Sequence, residues 1–193
     1  MNLVKKNNPT YHEEKLEEIR YGLESIYLTY TKTFVIFVLA YFLGIIKETL
    51  LLLLTYNIIR TFAFGIHATK SIYCLITSLM LFIGGVYIVK YMSLNIYVKT
   101  IISIMLLICI YKYAPADTYK RPLINEIKRK KYKVISTILG IAYVILIIIL
   151  NNNIISNYLL IGMLESVIMI HPLIYKIFNL PFDNYKKYKL NTV

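Results

Sequence analysis

A histidine at position 67 and a cysteine at position 74 are the residue types in this chain best suited to covalent chemistry. A thiol attacks a carbonyl as its thiolate, and histidine is the base that usually takes its proton. On one continuous helix a spacing of seven residues, at ~100° each, puts His67 and Cys74 on a shared face, with Arg60 seven residues earlier on nearly the same face. The same geometry separates them by ~10.5 Å along the axis, beyond the ~3 Å contact that a Cys–His pair requires. Gly65 permits a break just before His67 that would fold the imidazole back toward the thiol. The helix over residues 60–89 is therefore expected not to be straight.

Other candidates have plainer readings beside the functional one. Glu165 stands inside an apolar run, where a charged side chain costs at least ~2.5 kcal/mol, so it must be neutral, paired or turned to the bundle interior. Arg60 either snorkels to the headgroups or meets developing negative charge. Asp117 either caps the turn around Pro115 or reaches beneath the helix to orient His67. Cys109 reads as a small apolar residue, and His171, just before Pro172, as a helix-end feature. Three scattered histidines without ligand spacing give no reason to expect a metal, and no cofactor is implied.

The elements that must position these residues are apolar. Of the 193 residues 58% are hydrophobic and 17% charged, and there are 19 tyrosines and no tryptophan. Soluble domains average roughly 45–50% apolar and about 25% charged, and a chain of this size could not bury such a surface within itself. The fold class is all-α, a polytopic integral membrane protein. The net charge of +12 then reads as topology signal and anionic-lipid contact rather than nucleic-acid binding. Both cysteines lie in apolar segments, so no disulfide framework is expected. The first thirty residues mix charges of both signs without an early apolar core, so a cleavable signal peptide is not expected.

Residues 1–32 form an N-terminal amphipathic interfacial helix. Thr10 to Glu13 fits a capping box; Leu16, Ile19, Leu23, Ile26 and Tyr30 line one face, and five glutamates occupy the others. Apolar segments follow at 33–46, 49–64, 71–89, 94–111, 134–150 and 154–175, about six transmembrane or re-entrant helices within a membrane domain over 33–178. Lys47-Glu48 splits the first two as a tight helical hairpin would. The stretch 112–133 carries eight basic residues, the tail 179–193 is basic, and the Asn151–Asn153 turn is uncharged. The positive-inside rule puts the basic loop and both termini in the cytoplasm, and Cys74 about one helical turn into the membrane from that side.

Two motifs in register give the chain a family likeness. Gly65-Ile66-His67-Ala68 leads to Cys74, and Ala114-Pro115-Ala116-Asp117-Thr118 follows some forty residues later, ahead of the basic run Lys128-Arg129-Lys130-Lys131. In these motifs, in length and in span order, nearly the whole chain resembles the accessory gene regulator protein B (AgrB) family of Gram-positive bacteria. The resemblance implies a cell-membrane cysteine endopeptidase that removes the C-terminal part of an AgrD-like autoinducer propeptide and promotes its cyclisation to a thiolactone or lactone quorum-sensing signal. It implies Cys74 as nucleophile, His67 as general base and acid, and a homodimer in the bacterial membrane. Arg60, Asp117 and Glu165 are then candidates for transition-state or substrate contacts, and the basic loop for attracting an acidic propeptide segment. A small transporter or channel, its polar path lined by Arg60, Lys99 and Glu165, is the alternative from another class. A non-catalytic membrane scaffold is the third.

Overall fold

The computed structural model describes residues 13–66, 71–118, 123–150 and 154–186. Among these the chain is helical, with an isolated bridge between Phe64 and Ala116 and no strand. The helices are α1 (Glu13–Phe42), α2 (Ile46–Ala63), α3 (Ser71–Leu79), α4 (Gly85–Tyr91), α5 (Ile96–Tyr113), α6 (Glu126–Ile149), α7 (Ile154–Ile170) and α8 (Pro172–Ile177). A π-helical segment, Met80–Gly84, joins α3 to α4 in one rod.

Local chemistry sets several boundaries. Asn95 caps α5 by accepting from the Tyr97 N–H at 3.0 Å, and Asn125 caps α6 by accepting from the Lys128 N–H at 3.1 Å. α8 begins with Pro172 in its first turn behind the cap residue His171, as the sequence suggests for that pair. The first turn of the chain differs from expectation. It falls at Gly44, whose φ of 68° suits glycine, whereas Lys47 and Glu48 lie inside the first turns of α2. No break falls near residue 32, because α1 runs through it without interruption. The basic run at 128–131 is likewise helical, the opening of α6, rather than part of a loop. The capping-box residues Thr10–His12 and the Asn151–Asn153 turn lie outside the described residues.

α7 is the axis of the bundle. Its sequence is apolar on all sides, and nearly every residue from Ser156 to Ile170 is buried, as a helix surrounded by others requires. α2 packs most closely against it. A Cβ at Gly162 would stand 2.5 Å from Thr55 Oγ1, so the two backbones approach where that side chain is missing. Tyr143 of α6 donates to the Thr55 carbonyl at 2.8 Å and ties a third helix to the pair. The α5–α6 pair covers one side of this centre; α1 and the α3–α4 rod cover the other.

The outer surface is strongly apolar. Ile101, Met105 and Ile108 of α5 and Ile138, Ile141 and Ile145 of α6 all point outward. Ile72–Tyr91, Ile96–Tyr113 and Glu126–Ile149 are long and apolar enough to cross a membrane. Thr29–Phe42 and Ile154–Ile170 are shorter apolar helices.

Candidate active site

Arg60 and Cys74 do not share one continuous helix. α2 ends at Ala63, and Cys74 stands on a separate helix, α3. The break is where the glycine allowed it. Phe64 and Gly65 take φ values of 58° and 111°, left-handed conformations that an L side chain at position 65 would resist. His67 lies outside the described residues.

What is fixed is the approach to it. The Gly65 N–H donates to the Ala116 carbonyl at 2.8 Å, and the Ala116 N–H donates to the Ala63 carbonyl at 2.9 Å. The Ile66 N–H donates to the Met169 carbonyl at 3.0 Å. Residues 64–66 are thus clamped between the Ala114–Ala116 turn and the C-terminal end of α7, and the two sequence motifs meet in space. Arg60 reinforces the clamp, since its guanidinium donates to the Ile66 carbonyl. Its other terminal nitrogen is buried with no hydrogen-bond partner among the described residues. Gly65 is the only residue type that fits: a Cβ there would sit 2.5 Å from the Met169 carbonyl oxygen and run into the Arg60 guanidinium.

Cys74 is half-buried in the first turns of α3. Its sulfur receives a hydrogen bond from Lys32 Nζ of α1 at 3.0 Å. Sequence reading offered no signal for this pair, because 42 residues separate its members and Lys32 looks like a boundary charge. Tyr56 of α2 was missed for the same reason. It is buried within electrostatic reach of Arg60, Glu165 and Cys74, and its ring meets Phe82 edge-on at a centroid distance of 5.3 Å.

Glu165 is turned to the bundle interior, as one of the readings required. It is 3% exposed, and one carboxyl oxygen has no hydrogen-bond partner among the described residues. The other faces Gly85 so closely that a Cβ there would lie 2.5 Å from it. Lys99 is buried elsewhere, donating to Ser156 Oγ at 2.9 Å. Ser156 and Glu165 are separated by about 13.5 Å of α7, so Lys99 and Glu165 are not side by side. His171 accepts from the Leu173 N–H through Nδ1 at 3.3 Å and stacks edge-on against Tyr113. Cys109 packs against the apolar core.

Asp117 is a structural junction. Its carboxylate accepts from the backbone N–H groups of Asn184 at 2.9 Å, Tyr185 at 2.9 Å and Leu123 at 3.3 Å. The Tyr175 hydroxyl donates to its carbonyl at 3.0 Å. The chain after α8 is thereby folded onto the turn beside the Gly65 clamp. Arg129 stacks on the Tyr185 ring and pairs with Asp183. Asp183 in turn holds Lys186 above the ordinary lysine range through a hydrogen bond and its charge. Beside this junction an open cleft of about 260 Å³ is lined by Ile124, Glu126, Arg129, Lys130, Lys133 and Tyr185.

The sequence matches the family model described as Accessory gene regulator B over residues 1–170. The chain belongs to the AgrB family. Among its relatives is an accessory gene regulator protein B from Staphylococcus aureus, 32% identical over 173 residues, covering 89% of this chain and 90% of the relative. Putative AgrB-like proteins from Clostridium acetobutylicum and Listeria innocua are 30% and 31% identical. These alignments cover 91% and 97% of this chain and 84% and 92% of the relatives. No solved structure matches. The motif around Gly65 and the one around Pro115 are the two segments that the Gly65–Ala116 and Ala116–Ala63 hydrogen bonds join.

Proposed function

We propose that the chain is a multi-pass membrane cysteine endopeptidase that cuts an AgrD-like propeptide and promotes its cyclisation into a quorum-sensing signal. Membership of the AgrB family supports the substrate class. The observation that carries the chemistry is the half-buried Cys74 sulfur, held by a side-chain donor at the end of an apolar helix. It is joined by the braced turn at Gly65–Ile66 that leads into His67.

In this reading the Cys74 proton passes to His67, and the sulfur attacks the scissile carbonyl. The S–C bond forms, the C–N bond breaks, and His67 returns its proton to the leaving amine. A thiol or hydroxyl of the peptide then attacks the acyl-enzyme thioester, closing the ring and releasing Cys74. Thioester-to-thioester exchange is nearly neutral in bond energy, so this step needs exclusion of water rather than an energy source. Arg60 acts by bracing the turn ahead of His67, and Asp117 by anchoring the C-terminal segment; both of its carboxyl oxygens are already engaged. The basic cleft at the start of α6 suits an acidic propeptide segment. Both termini face the cytoplasm, membrane lipid surrounds the apolar helices, and the working unit is a homodimer.

The test is co-expression with the propeptide from the neighbouring reading frame, read by mass spectrometry of the products. Wild type should yield the truncated and cyclised peptide. Cys74→Ala and His67→Ala should yield neither while still inserting. Undiminished cleavage by Cys74→Ala would remove the nucleophile and return the transporter and scaffold readings.

A further inference from the structure

We propose that Lys32 is the counter-charge of the Cys74 thiolate, a catalytic residue supplied by the N-terminal helix. Its meaning for catalysis rests on the peptidase reading; the contact itself does not.

Lys32 Nζ lies 3.0 Å from Cys74 Sγ and both side chains are partly buried, so the contact is shielded from bulk water. Lys32 sits just inside the apolar stretch Thr29–Phe42 and Cys74 just inside Ile72–Tyr91. An ammonium at that depth is costly to desolvate unless it meets negative charge, and a thiolate at that depth has the same requirement. Each group removes the penalty of the other. Among the described residues, the remaining charged and titratable neighbours do not substitute for Lys32. Tyr56 of α2 is within electrostatic reach of Cys74 but carries no positive charge. Arg60 is turned to the Ile66 carbonyl, and the Glu165 carboxyl cannot supply a positive charge.

Lys32 transfers no proton in this scheme. The thiol proton still goes to His67, while Lys32 holds the sulfur negative until the S–C bond forms. Once the acyl-enzyme exists, sulfur is neutral and the contact weakens. Negative charge returns to sulfur when the ring closes and Cys74 leaves, and Lys32 assists that departure too. The N-terminal helix is therefore part of the active site, not only a surface anchor.

The experiment uses the full chain in detergent or nanodiscs and iodoacetamide as probe, with alkylation at Cys74 followed by mass spectrometry of its peptide. In Lys32→Met the rate near pH 7 should fall ~10-fold, since the attacking sulfur then lacks its counter-charge. Lys32→Arg should hold the wild-type rate near neutral pH within ~3-fold. Lys32→Gln repeats the test if the Met variant fails to insert. A wild-type rate for both neutral variants near pH 7, or a loss in Lys32→Arg as large as in Lys32→Met, overturns the proposal. The outcomes separate cleanly from the peptidase reading. Cleavage that survives Cys74→Ala removes that reading and leaves the ion pair standing. Cleavage lost in Cys74→Ala, with alkylation unchanged in the Lys32 variants, removes only Lys32.

Discussion

At the scale of single residues, Gly65 and Arg60 do one job between them. Gly65 lets the chain leave α2 with φ at 111°, and Arg60 fills the space its missing side chain leaves, holding the Ile66 carbonyl. Gly65→Ala must strain the backbone and displace either the guanidinium or the Met169 carbonyl. A cost of about 1–3 kcal/mol is expected, read as a lower unfolding temperature in detergent together with loss of propeptide cleavage. Arg60→Lys keeps the charge but loses the planar fork. It should insert and fold near normally yet cut the propeptide at least ~10-fold more slowly, and wild-type cleavage by this variant would mean the brace is dispensable. The glycine and the histidine were both legible as a motif. The brace was not, because it depends on where the guanidinium turns after the helix has ended.

Among the elements, α2 and α7 form the centre, and the segment after α8 closes one end. Gly162→Val would push a branched side chain into Thr55 and wedge the central pair apart. Overpacking of this kind typically costs about 1–3 kcal/mol, so thermal unfolding in detergent should fall measurably without change to any candidate catalytic group. At the closed end, Asp117→Ala strips the Asn184 and Tyr185 N–H groups of their acceptor. Residues 180–186 should then become sensitive to limited proteolysis, and unchanged protection would show that the Arg129–Tyr185 stack alone retains them. Sequence periodicity located the apolar parts of these helices well, apart from the turn at Gly44, the break at His171 and the helical start of α6. A basic tail is how the C-terminal residues read in sequence; their return to Asp117 depends on backbone donors that composition does not reveal.

Across the whole molecule, the hydrogen bonds at residues 63–66, 116 and 169 bring the C-terminal ends of α2, α5 and α7 to one end of the bundle. The basic start of α6 follows the α5 end there, beside the cleft. The proposed alternating path of spans puts this positive end in the cytoplasm. A single cysteine introduced at Ser93, between α4 and α5, in a Cys74→Ala, Cys109→Ala background should react with an impermeant maleimide in intact cells. One introduced at Asn179 should react only after permeabilisation. The reverse pattern would invert the topology and put Cys74 on the outer side.

The membrane class, the helical periodicity, the family likeness and the singling out of Cys74 all follow from sequence alone. Each rests on composition or on spacing along the chain, and a long apolar segment has few alternatives to a buried or lipid-facing helix. Tertiary structure decided which residues meet. Lys32 reaches Cys74 because α1 packs against α3, Ala116 clamps Gly65 because α5 ends beside α2, and Asp117 receives Asn184 because the chain turns back after α8. Contacts between residues so distant in sequence are set by how helices pack, and no local pattern of residues encodes that.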